Sequence, residues 1–422
     1  MKVPLAYGNG YLDVELPDDQ TTVINPSEQE GLADEKQSVL AALDAPIGSA
    51  PLRAQLKPDS RICIVFTDIT RSTPNDRLIP WILEYLAACG VENDQITLLN
   101  ALGTHRPNSR EQLCTLLTPQ VVENYRVLNH EPENPAAHTQ FGVTSTGAPA
   151  LINSHLAKAD VRIIAGFIEP HFFAGFSGGP KGIMPGVAAL ETVISNHGRR
   201  NIASPNAAFG ITTGNPIWEE MRDIALRIGP SFLVNVTLNE RKAITGIFAG
   251  DLIAAHKAGF EFVRKSAMQP VAEPFDIVIT TNSGYPLDQN LYQAVKGMSA
   301  AARIVRQGGA IIIAAECRQG LPEGSPFDQL LRKAADPEDI LALIAKETFP
   351  EQWQAQIQAL IQRKAAIFIY SSLPAATVRA AHLQPCADIA ATVAKLCANI
   401  NGLPRIAALP QGPLTIPYLP QA

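Results

Sequence analysis

Short apolar runs alternate with polar or glycine-containing turns and with stretches of helical apolar spacing along most of the chain. This order is typical of parallel βα units. It predicts strands over residues 61–66, 95–100, 161–167, 275–280, 310–315 and 366–370. Between them it predicts helices over residues 76–89, 188–197, 216–228, 253–266, 289–306 and 326–334.

The pattern divides the chain into two halves. Residues 268–274 carry proline and glutamate, and a fresh strand pattern begins after them. We therefore expect an α/β protein of two domains with mostly parallel Rossmann-like units, an N-terminal domain over 1–270 and a C-terminal domain over 271–422. The first 45 residues predict an irregular or hairpin-forming lead-in, and the proline-rich residues 403–422 predict an extended end.

Composition narrows the class of protein. A chain of 422 residues with 46% hydrophobic and 18% charged side chains can bury large cores, which excludes a disordered or coiled-coil protein. The 34 basic and 40 acidic residues give a net charge of -6 without any basic cluster, so neither nucleic acid nor an anionic membrane is an expected partner. The sequence shows no signal peptide and no apolar run long enough to span a membrane. We expect a cytoplasmic protein that binds a small molecule.

Polar side chains follow three of the predicted strands directly. Asp68 and Arg71 follow the first strand, His105 follows the second, and Glu169 and His171 follow the third. Ligands of open α/β sheets bind beyond the carboxyl ends of the strands, so these side chains should meet at one rim. Arg71 could fork onto a carboxylate or phosphate, but Asp68 and its neighbours could equally form an Asx turn before a helix.

A glycine-rich segment over residues 175–186 contains Ser177, Gly178, Gly179 and Lys181. Glycines that follow a strand can turn backbone N–H groups inward around an anion, and the lysine adds a charge or a nucleophilic amine. The pattern suggests a phosphate-bearing ligand, although it is not a Walker A loop. A purely structural turn is the alternative, since the spacing alone does not decide.

Three of the eight histidines stand out. His105 and His171 lie just after strands, where an imidazole can act as a general acid or base near neutral pH. His197 ends a predicted helix, where it is either a metal ligand or a simple helix cap. Together the three are two candidate bases and one candidate metal ligand, and a three-histidine zinc site is the alternative. The six cysteines lack C-x-x-C spacing and fit reduced core thiols.

The C-terminal half offers a second group of polar side chains. Tyr292 and Gln293 lie four and three residues before Lys296, so a helix would place all three on one face. That face could hold a hydroxy acid, or it could simply be solvated. Trp353 reads as a core anchor unless it forms a ligand wall, and Arg318 reads as a solvated residue unless it neutralises a second carboxylate.

These motifs, taken in order, resemble one known family. The segments that carry the resemblance are residues 68–74, 103–107, 169–181, 195–197, 284–297 and 352–353, and they extend over nearly the whole chain. They are similar to the nickel-pincer nucleotide-dependent lactate racemases. The glycine-rich block is the most specific of the matches. The family's cofactor is a nickel complex of pyridinium-3,5-bisthiocarboxylic acid mononucleotide.

The resemblance implies a role for each matching residue. Lys181 would tether the cofactor covalently and His197 would ligate its nickel, while Asp68 and Arg71 would order the cofactor and the catalytic groups. Ser177, Gly178 and Gly179 would lie near its phosphate. His105 and His171 would be the paired acid/base residues, one for each face of the substrate. Tyr292, Gln293, Lys296 and Trp353 would close over the substrate from the second domain, across an interdomain cleft.

The implied activity is that of an isomerase, a racemase or epimerase of 2-hydroxy acids with lactate as the first substrate to expect. The Cα–H of such an acid is too weakly acidic for an imidazole to remove as a proton. Reversible hydride transfer to the tethered nucleotide, through a 2-oxo acid, avoids that problem. Transient contact with the enzymes that make the cofactor is implied as well. The alternatives are a three-histidine zinc hydrolase and a non-catalytic binder of a nucleotide or sugar acid.

Overall fold

The computed structural model describes residues 1–420, and in them α-helices alternate with strands as the pattern predicted. No helix in these residues is both long and apolar enough to cross a membrane. The helices are Glu35–Asp44, Asn75–Ala88, Arg110–Leu117, Pro119–Asn124, Ser154–Ala157, Leu190–Asn196, Arg199–Ile202, Pro216–Arg227, Leu252–Ala267, Leu291–Ala302, Pro326–Lys333, Pro337–Lys346, Gln352–Gln362, Ala375–Ala380 and Ile389–Cys397.

The first of two six-stranded sheets is built from the N-terminal half. Its strands, in spatial order, are Ile244–Asp251, Phe232–Leu238, Val161–Phe167, Ile62–Thr67, Ile96–Ala101 and Arg126–Asn129. Neighbouring strands run parallel except for the antiparallel edge pair Phe232–Leu238 and Ile244–Asp251. The three strands predicted here are confirmed, and the other three are additions.

The second sheet is parallel throughout. Its strands, in spatial order, are Gln384–Pro385, Ala365–Tyr370, Val305–Ala314, Phe275–Thr281, Ile406–Leu409 and Thr21–Val23. The predicted helix over residues 289–306 ends earlier, at Ala302, because the long strand Val305–Ala314 begins there. One mostly parallel and one fully parallel sheet, with helices between the strands, confirm the α/β class.

Both faces of each sheet are covered. Along Ile62–Thr67, the side chains of Ile62, Ile64 and Phe66 enter one apolar cluster, whereas Cys63 and Val65 enter another. Successive side chains of a strand point to opposite faces, so each face of this strand packs on its own layer. This explains why such strands are continuous apolar runs. The cluster that holds Val65 also contains residues of the second sheet, so the two halves share a core.

Segments near both ends of the chain pair with strands of the other half. Residues 1–24 form the hairpin Lys2–Tyr7 with Gly10–Glu15, and then Thr21–Val23 joins the second sheet. The expected hairpin is thus present, but the helix Glu35–Asp44 was not predicted. Within the segment 268–274, where the sequence predicts the join between the domains, Met268–Pro270 pairs with Ile416–Tyr418. The extended end predicted at residue 403 contains two strands, and residues 421–422 lie outside the described part. The domain boundary after residue 270 stays a prediction.

Two further strand pairs lie outside the main sheets. His138–Val143 pairs with Pro149–Asn153, and Pro170–His171 pairs with Gly175–Phe176 just before the glycine-rich segment. The second pair folds the chain back on itself directly after the strand Val161–Phe167. That reversal brings the glycine-rich segment to the carboxyl end of the strand from which it came. All six cysteines are free, and Cys63, Cys317 and Cys386 are buried.

Candidate active site

A cleft opens at the carboxyl ends of three strands of the first sheet, where Thr67, Ala101 and Phe167 line it. It encloses about 1020 Å³, counting the solvent at its mouth. This is the position that parallel sheets use for ligands. Of the residues to which the resemblance assigns a role, only Asp68 is absent from its lining, which contains Arg71, His105, His171, Ser177, Gly178, Gly179, Lys181, His197, Tyr292, Gln293, Lys296 and Trp353.

The glycine-rich loop is shaped by close packing. Gly178 and Gly179 have φ values of 75° and 55°, a region that favours glycine. A Cβ on Gly179 would lie 2.3 Å from Cγ of His256, so no other residue fits there. The Gly179 N–H donates to Oδ1 of Asn235 at 2.8 Å. The loop thereby delivers the short 3₁₀ helix Gly179–Gly182, with Lys181, to the cleft.

Ser177 serves the loop's own backbone. Its hydroxyl accepts from the Glu169 N–H at 2.9 Å and donates to the Phe167 carbonyl at 3.1 Å. The Ser177 carbonyl in turn lies 2.9 Å from Nε2 of buried His256, whose pKa burial lowers to about 4. The neutral imidazole therefore donates from Nε2. The contact with a phosphate expected for Ser177 stays a prediction.

Three cationic side chains converge on the cleft. Burial lowers the pKa of Lys181 to about 7, and the charges of Arg71 and Lys296 act in the same direction. Burial and Arg71 lower the pKa of Lys296 to about 8. Glu169 opposes both shifts, and its own pKa is raised by burial. Near neutral pH, Lys181 is therefore partly a free amine, the nucleophilic form.

Asp68 and His105 form a carboxylate–imidazole pair at the rim. Oδ2 of buried Asp68 lies 2.8 Å from Nδ1 of His105, whose side chain is 27% exposed. Thr70 donates to the same carboxylate, and the Arg71 guanidinium lies 3.8 Å away. Burial raises the pKa of Asp68, but His105, Arg71 and Thr70 outweigh it and hold the pKa below its usual range. The carboxylate therefore stays ionised and orients His105 from behind the cleft wall.

His171 and His197 lie deeper, among aromatic rings. Nδ1 of His171 accepts from the Ala174 N–H at 3.2 Å, and its ring packs 4.5 Å from that of Phe173. Burial holds the pKa of His171 well below its usual value, and nearby Lys181 adds to the effect. Burial also lowers the pKa of His197 to about 3. Both imidazoles are therefore neutral at physiological pH.

The C-terminal half supplies the opposite wall. Asn290 caps the helix Leu291–Ala302 through its side chain, and this helix carries Tyr292, Gln293 and Lys296 into the cleft on one face, as their spacing predicted. The indole N–H of Trp353 donates to the Tyr292 hydroxyl at 3.2 Å. The Trp353 ring also stands 5.1 Å from the His197 ring. Trp353 therefore bridges the two halves across the cleft.

Two alternatives that the sequence left open receive no support from the geometry: a substrate-binding Arg318 and a three-histidine zinc site. Arg318 pairs with Glu316 at 2.6 Å, lies over the Tyr285 ring and does not line the cleft. Within residues 1–420, no group of three or more His, Cys, Asp or Glu side chains is arranged to hold a metal ion. The three histidines therefore do not form the alternative zinc site.

Some contributing residues were not predicted. Asn235 and His256 hold the glycine-rich loop by hydrogen bonds with the Gly179 N–H and the Ser177 carbonyl. Gln354 also lines the cleft. The only signal for Asn235 was a polar residue inside the apolar run 232–238. His256 sits at a core position of a helix, where sequence alone does not separate a packing role from a functional one.

Comparison with known proteins is consistent with this geometry. Residues 7–210 match the lactate racemase N-terminal domain, and residues 271–416 match the lactate racemase C-terminal domain. Two curated relatives are lactate racemases, each 34% identical. The one from Lactiplantibacillus plantarum aligns over 94% of this chain and 98% of its own length, and the one from Thermoanaerobacterium thermosaccharolyticum over 97% of each.

A solved structure agrees along the whole fold. The lactate racemase apoprotein from Thermoanaerobacterium thermosaccharolyticum superposes with a TM-score of 0.93 at 33% identity, covering 99% of this chain and 100% of that one. Similarity of this extent includes both sheets and both walls of the cleft. On these grounds the chain belongs to the lactate racemase family.

Proposed function

We propose that this protein interconverts the two enantiomers of a 2-hydroxy acid, with lactate as the first substrate. The observation that carries the proposal is the pair of imidazoles, His105 and His171, that line one cleft with the buried amine of Lys181. The named activity of the relatives supports lactate in particular. The cytoplasmic location and the transient contact with cofactor-synthesising enzymes stay predictions.

The residues in the cleft fit the nickel-pincer nucleotide. Lys181 offers an amine whose pKa of about 7 leaves it nucleophilic, as a covalent tether requires. Arg71 and Lys296 supply positive charge for an anionic ligand, and His197 offers one neutral imidazole without a cluster of further ligands. We assign Lys181 to the tether, His197 to the nickel, and Arg71 with the loop 177–179 to the ordering of the nucleotide.

When bound, this group supplies a carbon that reversibly accepts the substrate's Cα hydrogen with both of its electrons. The protein's task is to move the hydroxyl proton at the same time. His105, held through Nδ1 by Asp68, accepts that proton at Nε2. Asp68 stabilises the imidazolium that results. The substrate becomes a planar 2-oxo acid, which can be reduced again on either face.

The opposite enantiomer presents its hydroxyl to the other imidazole, so racemisation needs His171 as well as His105. Lys296 attracts the substrate carboxylate, and Gln293 on the same helix face adds an amide for hydrogen bonding. Trp353 and Tyr292 cover the cleft and keep the 2-oxo acid from leaving between the two half-reactions.

A chiral assay of protein made together with the cofactor's biosynthetic enzymes tests the proposal. We expect D- and L-lactate to interconvert, and deuterium on Cα to be retained in the product. The Lys181→Ala variant should carry no covalent adduct by intact mass and no activity, whereas the exposed Lys257→Ala control keeps both. Full loading of Lys181→Ala, or loss of the deuterium to solvent, would contradict the proposal.

A further inference from the structure

A buried chain of hydrogen bonds leads away from His197 through Asn196 to Glu220. His197 directly follows the helix Leu190–Asn196, and its Nδ1 lies 2.9 Å from Oδ1 of Asn196. Nδ2 of Asn196 donates to Oε2 of Glu220, on the helix Pro216–Arg227, at 2.8 Å. Asn196 is 0% exposed, His197 4% and Glu220 8%. Nothing in the reaction described above uses Asn196 or Glu220.

The partners fix the orientation of the Asn196 amide. Its nitrogen faces two groups that can only accept, the Glu220 carboxylate and the Ile217 carbonyl at 3.2 Å. The reverse orientation would set the amide oxygen against both acceptors. Glu220 is itself held, because its Oε1 accepts from the Ser145 N–H at 2.6 Å. The oxygen of Asn196 must therefore face His197.

This orientation decides where His197 carries its hydrogen. Oδ1 of Asn196 accepts only, so Nδ1 of His197 must be the N–H that donates to it. A neutral imidazole has one such hydrogen, which leaves the lone pair on Nε2. Metal-binding imidazoles are commonly set in this way, with one nitrogen donating to a buried acceptor and the other free for the metal.

We propose that Asn196 and Glu220 are positioning residues that hold His197 in the Nδ1–H tautomer and so keep Nε2 available to the nickel. The inference rests on the proposed function for the identity of the metal, but the tautomer itself is a property of the protein without cofactor. Glu220 acts through Asn196: by accepting from the amide nitrogen it prevents the amide from turning over.

Three variants separate this role from simple packing. Asn196→Ala removes the acceptor. Should it fold poorly, Asn196→Leu/Glu220→Met removes both polar groups at similar volume, a kind of replacement that buried polar pairs often tolerate. Asn196→Asp/Glu220→Gln moves the charge but keeps the two contacts that the proposal needs, because the introduced carboxylate accepts from Nδ1 and the introduced amide donates to that carboxylate. It gives up only the bond to the Ile217 carbonyl. As a matched control, Asn201→Ala removes a buried amide that donates only to the main chain of Asn196, at 2.9 Å.

The first measurement is long-range ¹H–¹⁵N NMR on cofactor-free protein labelled with ¹⁵N-histidine, with the His197 signals identified by their loss in His197→Ala. We expect the Nδ1–H tautomer in the unmodified protein, in Asn201→Ala and in Asn196→Asp/Glu220→Gln. In the acceptor-free variants we expect the hydrogen to move to Nε2. An unchanged Nδ1–H tautomer in the acceptor-free variants would overturn the proposal.

The second measurement is the rate at which cofactor-loaded protein loses nickel to a chelator. Loss of an outer partner of a metal ligand typically weakens metal binding about 10- to 100-fold, so the acceptor-free variants should release nickel faster by about that factor. The carboxylate–amide double variant and Asn201→Ala should stay near the unmodified rate. Equal rates of nickel loss in all variants would overturn the positioning role of Asn196 and Glu220. Equal nickel retention in His197→Ala would instead overturn the assignment of His197 to the metal, so the two failures are distinguishable.

Discussion

The two imidazoles proposed to move protons stand in opposite surroundings. His105 lies at the rim, 27% exposed, with the ionised Asp68 carboxylate against its Nδ1. His171 is 5% exposed among aromatic rings, and its Nδ1 accepts from a backbone N–H instead. A carboxylate only accepts and a backbone N–H only donates, so the two contacts impose opposite tautomers. Neutral His105 carries its hydrogen on Nδ1, and neutral His171 carries it on Nε2.

This difference separates two tasks within one cleft. In this tautomer, neutral His105 presents a lone pair on Nε2 that can accept the hydroxyl proton of one enantiomer. His171 presents an N–H and is ready to donate a hydrogen bond. To act as a base toward the other enantiomer, His171 must give up its contact with Ala174 and move its hydrogen to Nδ1. The two half-reactions are therefore the same chemistry on mirror-image substrates. The histidines that carry them out differ in tautomer and in hydrogen-bond partner.

Substitution of the histidines gives the largest expected effect. His105→Gln and His171→Gln should each slow racemisation by about 10²- to 10⁴-fold, the usual contribution of a positioned general base. The sharper readout is 2-oxo acid formed in a single turnover of loaded enzyme and measured after acid quenching. His105→Gln should suppress it from one enantiomer and His171→Gln from the other.

His138→Gln, at a half-buried histidine outside the cleft lining, is a matched control that should leave both half-reactions unchanged. If either active-site variant suppressed 2-oxo acid formation equally from both enantiomers, the assignment of one imidazole to each enantiomer would be wrong.

Lys181 lies in the buried part of the cleft, as His171 does. Its pKa reports how strongly that part is desolvated compared with the rim. Its lowered pKa means that Lys181 is protonated below about pH 7 and a free amine above it. At pH 7 about half of Lys181 should be free, compared with less than about one in 10³ for an ordinary lysine. Acetylation of cofactor-free protein between pH 5 and 10, followed by peptide mass spectrometry, should give a midpoint near 7 for Lys181. A midpoint close to that of exposed Lys257 would show that the surroundings of Lys181 are not desolvated.

Asp68→Asn tests the rim alone. An amide can turn either its oxygen or its nitrogen toward Nδ1, so His105 loses both its fixed tautomer and the charge that stabilises its protonated form. We expect the single-turnover rate of 2-oxo acid formation to fall on the order of 10²-fold from the enantiomer that uses His105, and not from the other. Rapid-quench measurement of 2-oxo acid from each enantiomer checks this. A similar loss from the enantiomer assigned to His171 would mean that Asp68 orders the whole cleft rather than one imidazole.

The N-terminal wall of the cleft was predictable from the sequence because Arg71, His105 and His171 follow the ends of predicted strands. Spacing placed Tyr292, Gln293 and Lys296 on one helix face, and the structure confirms it. The strand Phe232–Leu238 was missed because buried Asn235 interrupts its apolar run. That interruption has a physical cause, since Asn235 holds the glycine loop through the Gly179 N–H.

The opposite tautomers of the two histidines were beyond prediction from the sequence. They depend on which atom meets Nδ1, and that is settled by the backbone turn at Ala174 in one case and by the Asp68 side chain in the other. The same holds for Asn196 and Glu220, which are 24 residues apart and meet only after two helices pack. Patterns of residue type identify candidates for chemistry, but hydrogen-bond direction is a tertiary property.

The smallest expected effect concerns the unmodified enzyme. Two enantiomers have equal free energies in water, so the equilibrium constant of racemisation is one and kcat/KM must be the same in both directions. The structural inequality of His105 and His171 can therefore appear only as kcat and KM values that differ between directions by one common factor. Loss of the Ala174 contact is worth about one ordinary hydrogen bond, which corresponds to a factor of roughly 2 to 10. Initial rates measured from each pure enantiomer would give that factor. Identical kcat values in both directions would mean that His171 changes tautomer without cost, and that the contact with Ala174 does not distinguish the two half-reactions.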